Sequence, residues 1–486
     1  MSRSNAIEIS ARWRWIAALL LSLHAISPAQ QIAIGAHPVP APPLAPRGIT
    51  AGPDGALWFT ERGASNIGRI TTAGAVQQYP VLTAGSVTSG ITTGPDGALW
   101  FTEVGAIGRI TMAGAVSEFP GGGDAITAGP DGALWFTSND AVGRITTTGS
   151  VTYYPLTINT GPYAITPGPD GALWFTEKLN WGNKIARMST AGVLTEYPLP
   201  HNASAPTGIT AGPDGALWFT ENSAIGRITT GGAITEYSLP AYGMPNAITV
   251  GPDGALWFTD AEGSLGRITT GGAITQYALP DALSGPYAIV TGPDGSLWFT
   301  EGTGAVGQAV FVTAGLIVTP PTGSYRSNLT FSGAGFAPNE SVVIYVNGAG
   351  SAVLASANAD ASGSFAVAAR APQSPYGPRL FLGAGQGSGK LGAASYSGAP
   401  RLILNPNSGS AGSQVTVNGY GFGAFEKVQF FWNNTSTVLG SVTANIYGSV
   451  NGYTFQVPAN ATPGVSKVFG VGHVTRATGK SALTVQ

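Results

Sequence analysis

One nine-residue stretch, Gly-Pro-Asp-Gly-Ala-Leu-Trp-Phe-Thr, occurs seven times in this chain of 486 residues. Ser296 replaces Ala in the last copy, and successive copies begin 35 to 44 residues apart. A repeat of this length is one supersecondary unit, which buries its apolar residues only by stacking against the next unit. The repeat therefore predicts an array of stacked units. The copies begin at Gly52, Gly94, Gly129, Gly168, Gly212, Gly251 and Gly292.

Each unit predicts four short β-strands separated by turns. In residues 206–240, Pro213-Asp214-Gly215 forms the first turn, because Pro presets φ and Gly accepts a positive φ. The strands of this unit are expected at 208–211, 216–221, 224–229 and 234–240. Four strands per unit at even spacing are typical of a propeller blade. The seven copies therefore predict an all-β fold, a seven-bladed β-propeller over residues 30–315.

The last unit lacks its own fourth strand. After Val306-Gly307-Gln308-Ala309-Val310 there is no equivalent of the Ile-Thr-Glu-Tyr stretch that ends the other units. Ile32–Pro40 precedes the first strand of the first unit, where a fourth strand belongs. We therefore expect this N-terminal strand to pair with the third strand of the seventh blade, which closes the ring and leaves no open sheet edge.

The N-terminal residues 1–29 have the pattern of a signal peptide. Arg3, Arg12 and Arg14 supply positive charge before an apolar core at Trp15–Ile26, and Ser27-Pro28-Ala29 supplies small residues for cleavage before Gln30. The alternative, an uncleaved anchor, would need about 20 apolar residues to span a bilayer. The pattern predicts a secreted, periplasmic or cell-envelope protein of bacterial type, without a membrane span after cleavage.

The repeat ends near Gly315, and two further units follow, at residues 316–399 and 400–486. They align with each other: Leu316-Ile317-Val318-Thr319-Pro320 opens the first, and Leu402-Ile403-Leu404-Asn405-Pro406 opens the second. Alternating strands with frequent turn signals predict a β-sandwich in each. The strand ending Val417-Asn418-Gly419-Tyr420-Gly421-Phe422 resembles immunoglobulin-like domains of the IPT/TIG type, which implies a spacer or an adhesive role.

Composition excludes several classes of function. Charged residues make up only 9% of the chain, the formal net charge is −2, and no basic stripe is present, so nucleic acid is not an expected partner. The chain contains no Cys, which excludes disulfides and thiolate metal sites.

The full repeat resembles the streptogramin B (virginiamycin B) lyase family over residues 32–312. The resemblance rests on Gly-Pro-Asp-Gly-Ala-Leu-Trp-Phe-Thr-Glu, then Ile-Gly-Arg-Ile-Thr, then Ile-Thr-Glu-Tyr-Pro-Leu-Pro. It implies a Mg²⁺-dependent enzyme that opens a cyclic depsipeptide antibiotic by elimination of a carbon–oxygen bond. It also implies that the chemistry lies at the mouth of the central funnel.

Seven positions are expected to line that mouth, one in each blade, two residues before the Ile of the first strand. We name these the axis residues: Arg47, Ser89, Asp124, Tyr163, Thr207, Asn246 and Tyr287. The resemblance implies His at this position in the last two blades, a Glu two residues before the last His, Tyr in the first blade, and an acidic residue that ends a strand of the last blade.

This chain departs from that pattern at most of these positions. Asn246 and Tyr287 stand at the two His positions, Gly285 at the Glu position and Arg47 at the Tyr position, while Glu301 keeps the strand-end acid. Elimination needs a positioned base and an acid for the leaving oxygen. The sequence therefore predicts no confident catalytic residue, and Glu301 is its one weak candidate for Mg²⁺.

Other candidates have structural interpretations. We expect the seven turn Asp residues to serve turn geometry and the seven repeat Trp to pack between blades. The repeat Arg are expected either to pair with the acids that end the second strands or to cover neighbouring blades. His201 lies in a loop on the funnel face and is expected to be solvated. Trp181 lies outside the repeat in the longest hairpin loop of that face, and both ligand contact and loop packing remain open for it.

The first functional hypothesis is an exported, lyase-like propeller that binds a small molecule, peptide or glycan and lacks the catalytic set. Its ligand-binding residues would be Arg47, Asp124, Tyr163, Trp181, Thr207, Asn246 and Tyr287. The second hypothesis is an active Mg²⁺-dependent lyase with a rearranged site. The third is a structural cell-surface protein whose immunoglobulin-like domains contact an extracellular partner. A cofactor, Mg²⁺, belongs only to the second hypothesis.

Overall fold

The computed structural model describes residues 31–39, 45–62, 64–178, 183–201, 204–240, 243–346, 352–373, 377–423, 425–445 and 447–486. Within these residues every regular element is a β-strand, as the sequence predicts. No apolar helix of membrane-spanning length occurs in this part of the chain. The predicted signal peptide and Trp181 lie outside the described residues.

The repeat region forms seven four-stranded antiparallel sheets, which we number in chain order. The inner strands are Pro46–Ala51, Thr88–Thr93, Ile126–Ala128, Pro162–Pro167, Ile209–Ala211, Pro245–Val250 and Pro286–Thr291. The second strands are Leu57–Glu61, Leu99–Glu103, Leu134–Ser138, Leu173–Glu177, Leu217–Glu221, Leu256–Asp260 and Leu297–Glu301. The third strands are Asn66–Ile70, Ala106–Ile110, Ala141–Ile145, Lys184–Met188, Ala224–Ile228, Ser264–Ile268 and Ala305–Phe311. The outer strands of the first six sheets are Val76–Pro80, Val116–Pro120, Val151–Pro155, Leu194–Pro198, Ile234–Ser238 and Ile274–Ala278.

The inner strands place the sheets around a ring. Each inner strand contacts the inner strand of the next sheet, and Pro286–Thr291 of the seventh sheet contacts Pro46–Ala51 of the first. The second strands are buried on both faces, because a sheet in this ring has a neighbour on either side. Trp218 of the fifth sheet, for example, packs with Leu256 and Phe258 of the sixth. The repeat Trp are thus core residues between sheets, as predicted.

The turn Asp does more than shape its turn. Asp214 accepts hydrogen bonds from the indole N–H of Trp218 at 3.0 Å and from Nε of Arg227 at 2.7 Å. The same Asp–Arg pair, at 2.6 to 2.7 Å, occurs in the first six sheets. The predicted pairing of the repeat Arg with the strand-end acids is therefore wrong. Arg227 lies opposite Trp218 on one face of the sheet, whereas Glu221 alternates onto the other face.

The N-terminal strand completes the seventh sheet, as the sequence predicts. Ile32–Pro38 pairs antiparallel with Ala305–Phe311, from Ile32 opposite Phe311 to Pro38 opposite Ala305. His37 stacks on Trp298 with ring centroids 5.2 Å apart, in the place that Tyr or Phe takes in the other sheets. The His37 ring also hydrogen-bonds Gln308 at 3.3 Å.

Gln308 explains why one residue breaks the Arg series. It takes the place of the repeat Arg and donates to Asp294 at 3.0 Å. A neutral amide serves both Asp294 and the uncharged His37, whereas an Arg would put a second cation beside a ring that already faces Arg379. The seventh sheet thus keeps the turn contact of the repeat with side chains adapted to closure.

His37 predicts a stability that falls in acid. Burial lowers the pKa of His37 to about 4, helped by the positive charge of Arg379 and opposed by Gln308 and Asp294. Between pH 6.5 and about pH 4, the His37 side chain is protonated in the unfolded chain and neutral in the folded chain. We expect the free energy of unfolding to fall by about 3 kcal/mol across this window because of His37 alone.

The measurement is denaturant unfolding at pH 7, 5.5 and 4 for the wild type and a His37→Tyr variant, which carries the repeat's usual aromatic residue. The variant comparison is needed because burial raises the pKa of Glu177, Glu221 and Glu301 to about 7, which changes stability in the opposite direction. Equal pH dependence in the two chains would contradict the prediction.

The eight strands of the first C-terminal unit, residues 316–399, are linked by hydrogen bonds and surround a single apolar cluster. Their two halves meet at a pairing of only two residues, Ala314 with Gly392 and Gly315 with Ala393. Ala314–Thr319 joins the two halves, since it pairs antiparallel with Asn328–Ala334 and parallel with Leu391–Ala399. The other strands are Thr322–Ser324, Ser341–Val346, Val353–Asn358, Phe365–Arg370 and Gly377–Gly385.

The second C-terminal unit, residues 400–486, has two separate sheets around one core. Arg401–Asn405, Gln414–Tyr420 and Val450–Gln456 form the three-stranded sheet. The five-stranded sheet consists of Ser408–Gly409, Thr478–Val485, Gly464–Gly472, Lys427–Trp432 and Val438–Thr443, in that order.

The first C-terminal unit packs on the sheet that closes the ring. Leu380 and Leu382 form a buried apolar cluster with Val310 of the seventh sheet and Ala33 of the N-terminal strand. Arg379 is also buried here and donates a hydrogen bond to the carbonyl of Ala36 at 3.3 Å. The unit therefore covers the strand on which ring closure depends.

Candidate functional site

The seven axis residues line one cavity of about 170 Å³ at the centre of the ring. Each lies at the start of an inner strand, and in five sheets the pairing with the second strand shifts register here. In the seventh sheet Tyr287 and Ala288 lie between the paired residues Pro286 and Ile289. A bulge of this kind re-aims side chains out of the regular sheet pattern.

The repeat Thr fixes the axis residues, a role that the sequence interpretation missed. Thr300 donates to the carbonyl of Arg47 at 2.7 Å and accepts from the amide of Ala288 at 3.0 Å. The hydroxyl thus joins the bulge of its own sheet to the axis residue of the next sheet. The same link to the next axis carbonyl, at 2.6 to 3.3 Å, is made by Thr60, Thr102, Thr137, Thr176, Thr220 and Thr259. The signal was present in the sequence as an invariant Thr within the repeat.

An Arg and two Tyr meet at the centre of the cavity. The guanidinium of Arg47 donates hydrogen bonds to the hydroxyl of Tyr287 and to that of Tyr163, the latter at 3.3 Å. Arg47 also lies over the Tyr287 ring, 4.1 Å from its centroid, and the two hydroxyls hydrogen-bond each other. Burial, then the neighbouring Tyr163, raises the pKa of Tyr287 far above its usual range, so Tyr287 stays protonated. This side chain is a hydrogen-bond donor and not a base.

Lys178 adds a second positive charge, which the sequence interpretation did not single out. Its ammonium group lies 4.5 Å from the centroid of the Tyr163 ring. Asp124 is the one acidic residue among those lining the cavity. The described part of the site therefore presents two cations and two phenols against one carboxylate, an arrangement that attracts an anion.

The remaining family positions do not assemble a catalytic set. Asn246 lines the cavity and donates its amide to the carbonyl of Pro286 at 3.1 Å, so it acts as a link in the ring. Gly285 has φ of 55°, a left-handed conformation that favours Gly. Thr207 is buried and hydrogen-bonds Thr220 at 2.7 Å. Among the residues that the structure describes, no His lines the cavity.

Glu301 does not fit a Mg²⁺ site. It is buried, lies outside the cavity lining, and burial together with the nearby Asp281 raises its pKa to about 7. Mg²⁺ requires ionised carboxylates in octahedral geometry, and no group of three His, Asp or Glu suited to a metal occurs in the described ranges. The Mg²⁺ dependence implied by the resemblance therefore has no support in these side chains.

Acidic residues of the outer strands, together with His201, hold loops of the funnel face. Glu221 is buried, and its pKa rises to about 7 because of burial and the nearby Glu236. His201 is exposed and contacts Glu236 through Nδ1 at 2.5 Å, so it is anchored at the periphery and does not line the cavity. In the second sheet Glu118 anchors the equivalent loop by accepting from the amide and hydroxyl of Thr83.

Large apolar side chains stand exposed in the loops around the cavity. We name this set the apolar rim: Leu82, Val104, Ile158, Met244 and Leu283. They are 56% to 87% exposed, and all lie in connections at the end of the sheets where the axis residues open. They lie in separate connections on the same face as the cavity opening, where a ligand that extends beyond the cavity can contact them. The apolar rim could have been identified in the sequence from its large apolar residues in predicted loops.

Comparison with known proteins agrees with the resemblance. The chain matches the model of the Virginiamycin B lyase family over residues 26–125 and 120–317, more than half of its length. No curated protein matches it. A solved streptogramin B lyase structure is 37% identical, covers 57% of this chain and 97% of its own, and superposes with a TM-score of 0.55.

Two further solved structures extend the comparison. A catalytically inactive virginiamycin B lyase from Staphylococcus aureus, solved with quinupristin, is 35% identical, with a TM-score of 0.55, and covers 58% of this chain and 100% of its own. The extracellular domain of a hybrid two component system from B. thetaiotaomicron, only 14% identical, covers 76% of this chain and 59% of its own, with a TM-score of 0.51. This last likeness concerns the fold alone.

Proposed function

Because the chain belongs to the virginiamycin B lyase family while no His is among the described residues that line its cavity, we propose that it is a ligand-binding member of the family without lyase activity. The proposed molecule is exported by residues 1–29 and consists of a seven-bladed propeller, closed by the N-terminal strand, and two immunoglobulin-like units. The observation that supports the proposal is the Arg47–Tyr163–Tyr287 cluster, in which Arg47 donates hydrogen bonds to both hydroxyls and Tyr287 stands at one of the His positions that the resemblance implies.

The proposed ligand is a small, largely apolar molecule that carries a carboxylate. Arg47 and the Tyr163 hydroxyl supply donors for the anionic group, and Lys178 adds charge beside it. The apolar rim supplies contact area for the rest of the molecule. Short peptides ending in a free carboxylate and apolar acids both have this chemistry.

The proposal predicts that decanoate binds the full chain and that Arg47→Ala weakens binding about tenfold or more, because a charge-assisted hydrogen bond is lost from a partly buried site. Isothermal titration of the wild type with decanoate and with decanol gives the measurement. Decanol shares the apolar chain without the charge, so we expect it to bind more weakly.

Arg370→Ala is the matched control, because it removes one exposed Arg from the first C-terminal unit. Decanoate affinity should be unchanged in this variant. Equal affinities for decanoate and decanol, or an Arg47→Ala variant that binds decanoate like the wild type, would show that the cluster is not an anion site.

A further inference from the structure

The second C-terminal unit is basic in an otherwise acidic chain. Residues 400–486 contain five Lys and Arg and a single acid, Glu426, whereas residues 1–399 contain 17 Lys and Arg against 23 Asp and Glu. The unit therefore carries a formal charge of +4 and the rest of the chain −6. Such asymmetry between parts of one chain indicates an anionic partner for the basic part.

The positive charge collects on the outer face of the five-stranded sheet. Along Lys427–Trp432, Val428 and Phe430 point into the core, so Lys427 and Gln429 lie on the opposite face. In the neighbouring strands the same alternation places Val471 and Lys480 on this outer face. The unit's one acid, Glu426, is buried and so does not lie among these cations on the outer face.

A groove of about 310 Å³ opens at one end of this face. We name it the basic groove; it is lined by Lys427, Gln429, Phe431, Val471, His473 and Arg476. In the described part of the chain no ion pair involves Lys427 or Arg476. Their charges are therefore available to a ligand.

The loop that carries His473 and Arg476 is held in one conformation. The buried carboxylate of Glu426 accepts hydrogen bonds from the amides of Val474 and Thr475 at 3.1 and 3.0 Å, and from the Thr475 hydroxyl at 2.7 Å. Arg476 has φ of 58°, a left-handed conformation that costs energy for a residue with a Cβ. The unit's one acid thus fixes a loop that presents a strained Arg at the groove.

We propose that the basic groove binds an acidic polysaccharide, a sugar chain that carries carboxylates. Lys427 and Arg476 pair with carboxylates on successive sugars, and Gln429 and His473 hydrogen-bond the hydroxyls between them. Val471 and the edge of Phe431 form an apolar floor for the C–H faces of the rings. A groove of this volume accommodates one or two sugar rings, and Lys480 extends the positive face beyond it.

Nucleic acid fits this surface less well. Single strands bind through aromatic side chains on which bases stack, and Phe431 is only 8% exposed. Phe431 is therefore too buried for a base to stack on it. Sugar rings need only an apolar surface to contact, and their carboxylates need only a nearby positive charge.

The test is affinity electrophoresis of the full chain in gels that contain polygalacturonic acid, dextran, poly-glutamate or no polymer. We expect polygalacturonic acid alone to retard the wild type, and retardation to weaken as salt rises from 50 to 300 mM. A Lys427→Ala, Arg476→Ala double variant should bind at least about tenfold more weakly. Arg370→Ala, which removes a charge from the other C-terminal unit, should bind like the wild type.

Thermal unfolding shows whether each variant is folded. If the double variant does not fold, the Lys427→Ala single variant is used for the binding test. Three results would overturn the proposal: no retardation by polygalacturonic acid, equal retardation by poly-glutamate, or unchanged binding in the folded variants. Tighter binding to single-stranded DNA than to polygalacturonic acid, measured by competition in the same gels, would identify the groove as a nucleic-acid site instead.

Discussion

A streptogramin B antibiotic incubated with the purified chain and Mg²⁺ is expected to remain cyclic. At the positions where the resemblance implies two His and a Glu, this chain has Asn246, Tyr287 and Gly285. Loss of a positioned acid or base costs about 10² to 10⁴ in rate for each group. Tyr287 does not compensate, because burial raises its pKa and keeps the hydroxyl protonated. The measurement is ring opening of quinupristin followed by mass spectrometry.

The matched variant puts the family residues back: Asn246→His, Gly285→Glu and Tyr287→His. Any gain in ring opening by this variant over the wild type locates the lost chemistry at these positions. The backbone φ of 55° at Gly285 makes Glu strained there, although a Cβ would meet no atom within 4 Å. The Asn246→His, Tyr287→His double variant, which keeps Gly285, is therefore assayed as well. Robust turnover by the wild type would refute the proposed function, and His201 would be the first residue to replace.

The constant spacing within the repeat was enough to predict that the axis residues lie together. The position two residues before the Ile of each inner strand gives the seven axis residues, which include Arg47, Tyr163 and Tyr287. All seven line one cavity. The prediction works because a repeat gives each sheet the same geometry, so a position found in one sheet holds in seven. The missing outer strand was predictable for the same reason, since an incomplete unit must be completed by another part of the chain.

Features that depend on faces or on contacts between units were not predictable. Whether Arg227 reaches Asp214 or Glu221 is decided by the alternation of side chains along a strand, which the motif alone does not display. The contact of Arg379 and Leu380 with the N-terminal strand joins residues more than 300 positions apart and has no local signature. The link between the two halves of residues 316–399 likewise depends on one strand that pairs on both sides.

Removal of residues 30–40 is expected to lower the unfolding temperature by about 6 °C or more. The deletion strips a strand paired over Ile32–Pro38, and it exposes Val310 together with Leu380 and Leu382 of the covering unit. It also removes His37 from Trp298 and from the turn at Gly74, which the ring contacts in the first sheet. The lost backbone pairs and apolar burial together cost at least about 4 kcal/mol.

The matched pair of proteins begins at Gln30 and at Ala41, so that both lack the predicted signal peptide and differ only in the N-terminal strand. A synthetic peptide of residues 30–40 should restore stability to the shorter chain, because an open sheet edge binds an added strand through its backbone. Equal unfolding temperatures in the two proteins would mean that the seventh sheet holds the ring without its outer strand. Rescue by the peptide but not by a version with His37→Ala would assign part of the closure to the stack on Trp298, because Ala removes the ring that packs there.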